Sequence, residues 1–167
     1  MSDPALYQRF AAYNSWMTSK LYSAAAGLDD ATRKADRGAY FRSVHSTLNH
    51  ILFGDMVWMS RFTGAPAADR GMGVDIHDDF EGLRQAHLEQ CGRILDWTLD
   101  LTPQWLADDL TWTSTDGSRV STRPRWLLVS HMFNHQTHHR GQITTLLSQL
   151  EVDIGVTDLP FMPDLVM

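Results

Sequence analysis

The chain has 167 residues, 43% of them hydrophobic and 20% charged, which suits a single globular domain able to bury about 68–70% of its unfolded surface. Its net charge is −6, so the clustered Lys and Arg of a nucleic-acid footprint are not expected; Arg119, Arg123 and Arg125 come closest, and three charges around a turn read as a solvated loop. The single cysteine, Cys91, excludes an intrachain disulfide framework and fits a reducing compartment.

The start of the chain, Met1-Ser2-Asp3-Pro4-Ala5-Leu6, has neither a basic n-region nor an apolar h-region, and no apolar run approaches the roughly 18 residues of a membrane span. A cytoplasmic protein away from membranes is expected. Asp3 as N-cap and Pro4 in the first turn open a first helix. Leu6, Phe10, Tyr13, Met17 and Leu21 recur along it at helical steps, to about Gly27. Residues 29–39, charged and broken by Gly38, read as a surface connection. A second helix runs from about Ser43 to Phe62. It is apolar over much of its circumference and should be largely buried. His50 sits on it before Ile51-Leu52-Phe53, where a histidine is either a satisfied core residue or a metal ligand.

Residues 63–73, rich in Gly, Pro and Ala, form a long loop that lets the helices on either side run parallel. A third helix, from Asp78 or Asp79 to about Leu101, carries Phe80, Leu83, His87, Ile94, Leu95 and Thr98 on one face. His87 has no ligand-spaced partner there, which favours a core or rim position, and His77 reads as exposed. Cys91 lies mid-helix, where a thiol is more often a small core or surface residue than a nucleophile. Thr102-Pro103 ends this helix. Alternation through Leu110 to Thr122 around Asp116-Gly117 predicts a small β-hairpin, a flap or edge decoration.

The fourth helix begins near Arg123-Pro124. Half of the eight histidines fall between His131 and His139. Positions four apart on a helix lie about 40° apart and roughly 5–6 Å between Cβ atoms. Leu128, Met132, His135, His139, Ile143, Leu146 and Leu150 form one apolar stripe, so the pair His135/His139 should point into the interior, with His131 and His138 at its edges. Trp126 and Phe133 lie on the far side, where an exposed aromatic pair would suit a dimer contact. The tail from Glu151, interrupted by Gly155, Pro160 and Pro163, carries Leu159, Phe161, Met162 and Leu165 to pack along the helices.

Two imidazoles on an inward face need partners, and a metal satisfies both. A third histidine from a facing helix makes a three-His site with an open coordination position, the catalytic pattern. Imidazole ligands suit Zn, Ni, Cu or Fe. Gln136 stands where His-Glu-x-x-His has its glutamate, so the metalloprotease reading lacks its general base. Gln142, on the side of His135, lines the pocket, orients a ligand, or is a polar residue at a helix edge, the last being the commoner case.

Two segments, Leu48-Asn49-His50-Ile51-Leu52-Phe53-Gly54-Asp55-Met56-Val57-Trp58 and His135-Gln136-Thr137-His138-His139-Arg140-Gly141-Gln142, resemble the DinB family of metal-dependent proteins, and the likeness runs through all four helices and the tail. The resemblance implies an all-α fold, a four-helix bundle in up-down-down-up order with the long crossover between helices 2 and 3, over residues 1–167. It implies His50, His135 and His139 as ligands of a divalent transition metal, Zn or Ni first, and a homodimer. Related families include thiol-dependent S-transferases and a mycothiol-dependent maleylpyruvate isomerase. The implied activity is therefore a metal-dependent transferase that activates a low-molecular-weight thiol towards a small electrophilic substrate. The alternatives are a non-catalytic, stress-associated metal-binding bundle and a hydrolase using metal-activated water.

Overall fold

A computed structural model describes residues 3–66, 71 and 73–163. Four long helices make the body: α1 (Pro4–Ala26), α3 (Val44–Thr63), α4 (Phe80–Leu99) and α6 (Arg125–Ser148). Between them come two short helices, α2 (Asp30–Lys34) and α5 (Pro103–Ala107), and the antiparallel pair β1 (Asp109–Thr113) and β2 (Val120–Pro124), whose register sets Thr111 opposite Thr122. A single 3-10 turn, Leu159–Phe161, punctuates the tail.

Five of the six helices start at a side chain that accepts an otherwise orphaned backbone N–H: Asp3 from Ala5, Asp29 from Thr32, Ser43 from Ser46, Asp79 from Gly82 and Thr102 from Trp105. The sixth, α6, follows Pro124, and its first N–H, on Arg125, donates to Asp108 O at 2.9 Å. The caps explain two departures from the sequence reading. Residues 29–39 are not merely a connection, because Asp29 nucleates α2. Thr102-Pro103 does not end a helix but begins α5, α4 having already stopped at Leu99.

Cross-helix pairs fix the directions. Tyr7 reaches Trp126 O and Asn14 meets Arg140, so α1 and α6 run parallel. Gln8 reaches Thr98 O, whereas Tyr22 meets His87, so α4 is antiparallel to α1. His50 meets His139 while Trp58 meets His131, so α3 is antiparallel to α6. The order is up-down-down-up, with the long connection joining the two parallel helices α3 and α4. No helix among the described residues is long and apolar enough to cross a membrane.

The core is divided along the bundle axis. One apolar cluster takes Leu21 and Tyr22 of α1, Leu48 and Ile51 of α3, Leu83 of α4 and Ile143 of α6. The other takes Tyr7, Trp58, Ile94, Met132 and Phe133. Between them every long helix contributes buried polar groups: Asn14 and Thr18, Asp55, His87 and Gln90, Gln136 and Arg140.

The buried faces of two helices differ from the apolar stripes read from sequence. On α1 Met17 and Leu21 of the expected stripe are buried, but Tyr7, Ala11, Ala12, Asn14, Thr18, Tyr22 and Ala25 are buried beside them and Leu6 is exposed. That helix packs on both α4 and α6, so its buried arc is wide and admits small and polar residues that a hydrophobic count passes over. On α6, Phe133 is buried against Tyr7 and Phe10. The expected exposed pair Trp126/Phe133 therefore does not exist; only Trp126 faces solvent. In the tail, Val152 and Ile154 pack on the core while Phe161 is exposed; Leu165 lies outside the described residues.

Candidate metal centre

His50 projects from α3 towards α6, where His135 and His139 stand one turn apart. The His50 Nε2 atom lies 3.0 Å from His135 Nε2 and 3.1 Å from His139 Nε2. One ring nitrogen from each of the three falls within 4.8 Å of the others, a group that could hold a metal ion. Gly54, one turn after His50, allows the approach. A Cβ there would sit 2.7 Å from His135 Cε1, closer than a carbon contact permits.

The donor atoms suit a cation. His139 Nδ1–H donates to Gln142 Oε1 at 2.8 Å, a bond that fixes the tautomer and leaves a lone pair on Nε2. Burial, reinforced by the charge of neighbouring imidazoles, pushes His50 down to about 4 and His135 down to about 3, and burial also lowers His139 against the opposing bond from Gln142. All three rings are therefore neutral near pH 7. With Nε2 of His139 an acceptor, a single N–H on His50 can point squarely at only one of its two neighbours, so the three converging nitrogens are poorly satisfied by one another. Nitrogens about 2.0–2.1 Å from a tetrahedral ion lie about 3.3 Å apart, a few tenths of an ångström from the 3.0 and 3.1 Å that separate His50 Nε2 from the other two. Among the described residues, Nδ1 of His50 and of His135 are buried without a partner, so Gln142 is the one second-layer anchor.

Phe41 completes the inner wall. Its ring stacks on His50 at 3.7 Å between centroids and 19° between planes, and meets His139 edge-on at 5.4 Å. The turn that presents it is tight. Arg42 N–H donates to Ala39 O, Arg37 N–H to Arg42 O, and Arg42 itself adopts φ 67°, an unusual angle for a residue with a side chain. Its Nε is bonded to Asp36 Oδ2 at 2.9 Å. Beside His50 a cavity of about 560 Å³ opens, bounded by Tyr40, Phe41, Phe53, Val74 and Asp78.

The remaining histidines take other parts. His131 is exposed, packed edge-on against Trp58, and His138 is exposed beside Gln142. His45, buried, bonds His77 O through Nε2 at 2.9 Å. Asn49 holds the same segment by accepting from the backbone N–H of Ile76 and His77. His77 is half-buried rather than freely exposed, and its backbone is an anchor point.

His87 belongs to the polar layer. Its Nδ1 faces Tyr22 OH at 3.1 Å and its Nε2 lies 3.8 Å from Asp55 Oδ2. The other Asp55 oxygen accepts from Gln136 Nε2 at 2.8 Å. Gln136, at the position of a metalloprotease glutamate, is thus committed to Asp55. Burial raises Asp55 to about 7, against the lowering influence of Gln136 and Arg140, and lowers His87 to about 3 with help from Arg140. Burial, with the Asp55 charge adding to it, pushes the Cys91 thiol up to about 12, which leaves it a core residue rather than a nucleophile. Phe41, Gly54 and Asp55 escaped the sequence reading. Asp55 had a signal, a lone acid in an otherwise apolar helix segment; Phe41 sits in an irregular turn with no periodicity to place it.

The chain is 24% identical over 163 residues to Protein DinB of Bacillus subtilis (strain 168), covering 95% of this chain and 92% of that one. A family model, that of the DinB family, matches residues 1–165. With the match spanning nearly its whole length, the chain belongs to the DinB family.

Proposed function

We propose that the protein is a metal-dependent transferase in which His50, His135 and His139 hold a divalent transition metal, Zn or Ni first, and a low-molecular-weight thiol reacts with a small electrophile. The observation that carries this reading is the convergence of three neutral imidazole nitrogens beside an open cavity. A divalent ion on three such ligands supplies a positive charge with a free coordination position, which favours the thiolate form of a thiol at neutral pH. The chain's own residues provide the setting. Phe41 covers one face of His50, Gln142 holds His139, and Phe53 with Val74 gives the cavity an apolar wall against which a small substrate can be desolvated. Neither Gln136 nor Cys91 offers a base or nucleophile of its own, so the reading assigns no protein general base.

A second reading, a non-catalytic metal-binding bundle, draws support from the ligands joining α3 to α6, since an ion there ties two helices together. The cavity beside His50 favours the first, because a structural ion needs no access. Placement in the cytoplasm and as a homodimer belongs to the same proposal. The dimer now leans on the family resemblance alone, Phe133 being buried.

A panel of low-molecular-weight thiols, scored by thermal shift on metal-loaded and chelator-stripped protein, tests the reading. A ligand of the native state raises its melting temperature by mass action. We expect at least one thiol to stabilise the loaded protein and not the stripped one, and to react faster with an electrophile in its presence. No stabilisation and no rate change across the panel would overturn the thiol reading and leave the non-catalytic bundle and the hydrolase.

A further inference from the structure

On the opposite side of α6 from the histidines, a smaller pocket of about 230 Å³ lies between α1, α6 and the tail, bounded by Phe10, Tyr13, Phe133, Thr137, Arg140 and Leu159. Most of this lining is apolar; Arg140 is not. Only 4% of its surface is exposed, and a guanidinium stays charged wherever it is put. Among the described residues its guanidinium meets neutral oxygens, Asn14 Oδ1, Thr137 Oγ1 at 2.9 Å and the Tyr13 hydroxyl. The Tyr13 ring lies 5.1 Å away. No ion pair to Arg140 forms among the described residues. The acid that feels its charge, Asp55, is engaged with Gln136 and faces His87 instead.

A buried cation with no acid in direct contact among the described residues is expensive to keep. Here it lies against a pocket with aromatic and aliphatic walls and a mouth bordered by the tail. We propose that this pocket binds a small monocarboxylate, its anionic group directed at Arg140 and Thr137 and its apolar body between Phe10, Phe133 and Leu159. Both halves of the ligand follow from the lining. The guanidinium selects a planar anion that it can meet with two N–H groups, and the rings select a hydrocarbon body over a bare ion. The volume is below the roughly 300–1,000 Å³ of pockets for drug-sized ligands, so the body is a single ring or a short chain. The inference is independent of the metal reading, since no residue of this pocket is one of the three histidines.

Benzoate, benzamide and inorganic phosphate are the probes, applied to the full chain in thermal-shift and calorimetric titrations, with metal loaded and after chelation. Benzoate should raise the melting temperature saturably in both states, whereas benzamide, the same size without the charge, and phosphate, the charge without the ring, should bind at least tenfold more weakly. Leu159→Trp fills the mouth from a partly exposed position without touching the buried cation. It should weaken benzoate at least tenfold and leave metal content unchanged. The proposal is overturned if benzamide or phosphate matches benzoate, if the benzoate effect survives Leu159→Trp, or if it disappears on chelation, which would put the carboxylate at the histidines.

Discussion

Gly54 and Gln142 show how little of a metal site resides in its ligands. Gly54 carries no functional group, yet its missing Cβ is what lets the His135 ring settle against α3. Gln142 touches no other member of the triad but decides which nitrogen of His139 is free. For Gly54→Ala the two effects of the added methyl have opposite signs. Alanine in a helix interior is favoured over glycine by about 0.8–1.0 kcal/mol, so the metal-free variant should melt no lower than the parent. Its metal affinity should nevertheless fall about tenfold or more, as for displaced supporting groups around a metal. Calorimetric titration with zinc beside a melting curve of the stripped protein separates the two. Lower stability with unchanged affinity would mean that the ring contact is ordinary packing.

The elements were legible in the sequence to different degrees. The four long helices and the hairpin stand out because caps, periodicity and the Asp116-Gly117 turn are local signals; Gly117 takes φ 72° as such a turn requires. Short helices α2 and α5 hide because five residues are too few for a period to show. The faces are harder still. Apolar spacing finds the stripe that suits one neighbour, while α1 and α6 each pack on two. Phe133 is the sharpest instance: read as an outward residue, it is 5% exposed and stacks on Tyr7 at 6.3 Å. Phe133→Ala should therefore cost about 3–5 kcal/mol, the range for an aromatic removed from a packed core. Trp126→Ala should cost less than about 1 kcal/mol, as surface changes do. Urea unfolding of the two variants measures both, and equal losses would contradict the packing described.

At the scale of the whole molecule, the bundle is two apolar cores separated by a polar layer that spacing arguments could not foresee, because its members come from four helices and pair only in three dimensions. The triad was partly legible for the same reason: His135 and His139 share one helix and one period, whereas His50 needed the family resemblance to join them. The layer has a consequence for pH. Unfolded, His87 and Asp55 have ordinary values of 6.5 and 3.8; folded, they stand at about 3 and about 7. Between about pH 4 and 6.5 the unfolded pair carries its proton on His87 and the folded pair carries it on Asp55, so proton numbers match and this pair adds no pH dependence. Taken alone, Asp55 retains a proton on folding, and its contribution is present below 3.8 and lost as pH rises towards 7. Taken alone, His87 sheds one, and its contribution grows as pH rises from about 3 to 6.5. Asp55→Asn removes the first and leaves the second. Relative to the parent, the variant should gain stability steadily from pH 4 to pH 7, read from urea midpoints at several pH values. Parallel curves would mean that the two groups do not exchange the proton.

The proposed function rests on the three converging imidazoles, and their stoichiometry with metal tests it most directly. Chelator-stripped protein titrated with zinc or nickel in a calorimeter should take up one equivalent per chain, with the affinity reduced at least about a hundredfold in His50→Ala as in His139→Ala, and unchanged in His131→Ala and His138→Ala. Uptake that is absent, or that survives loss of His50 while depending on His131 or His138, would contradict it.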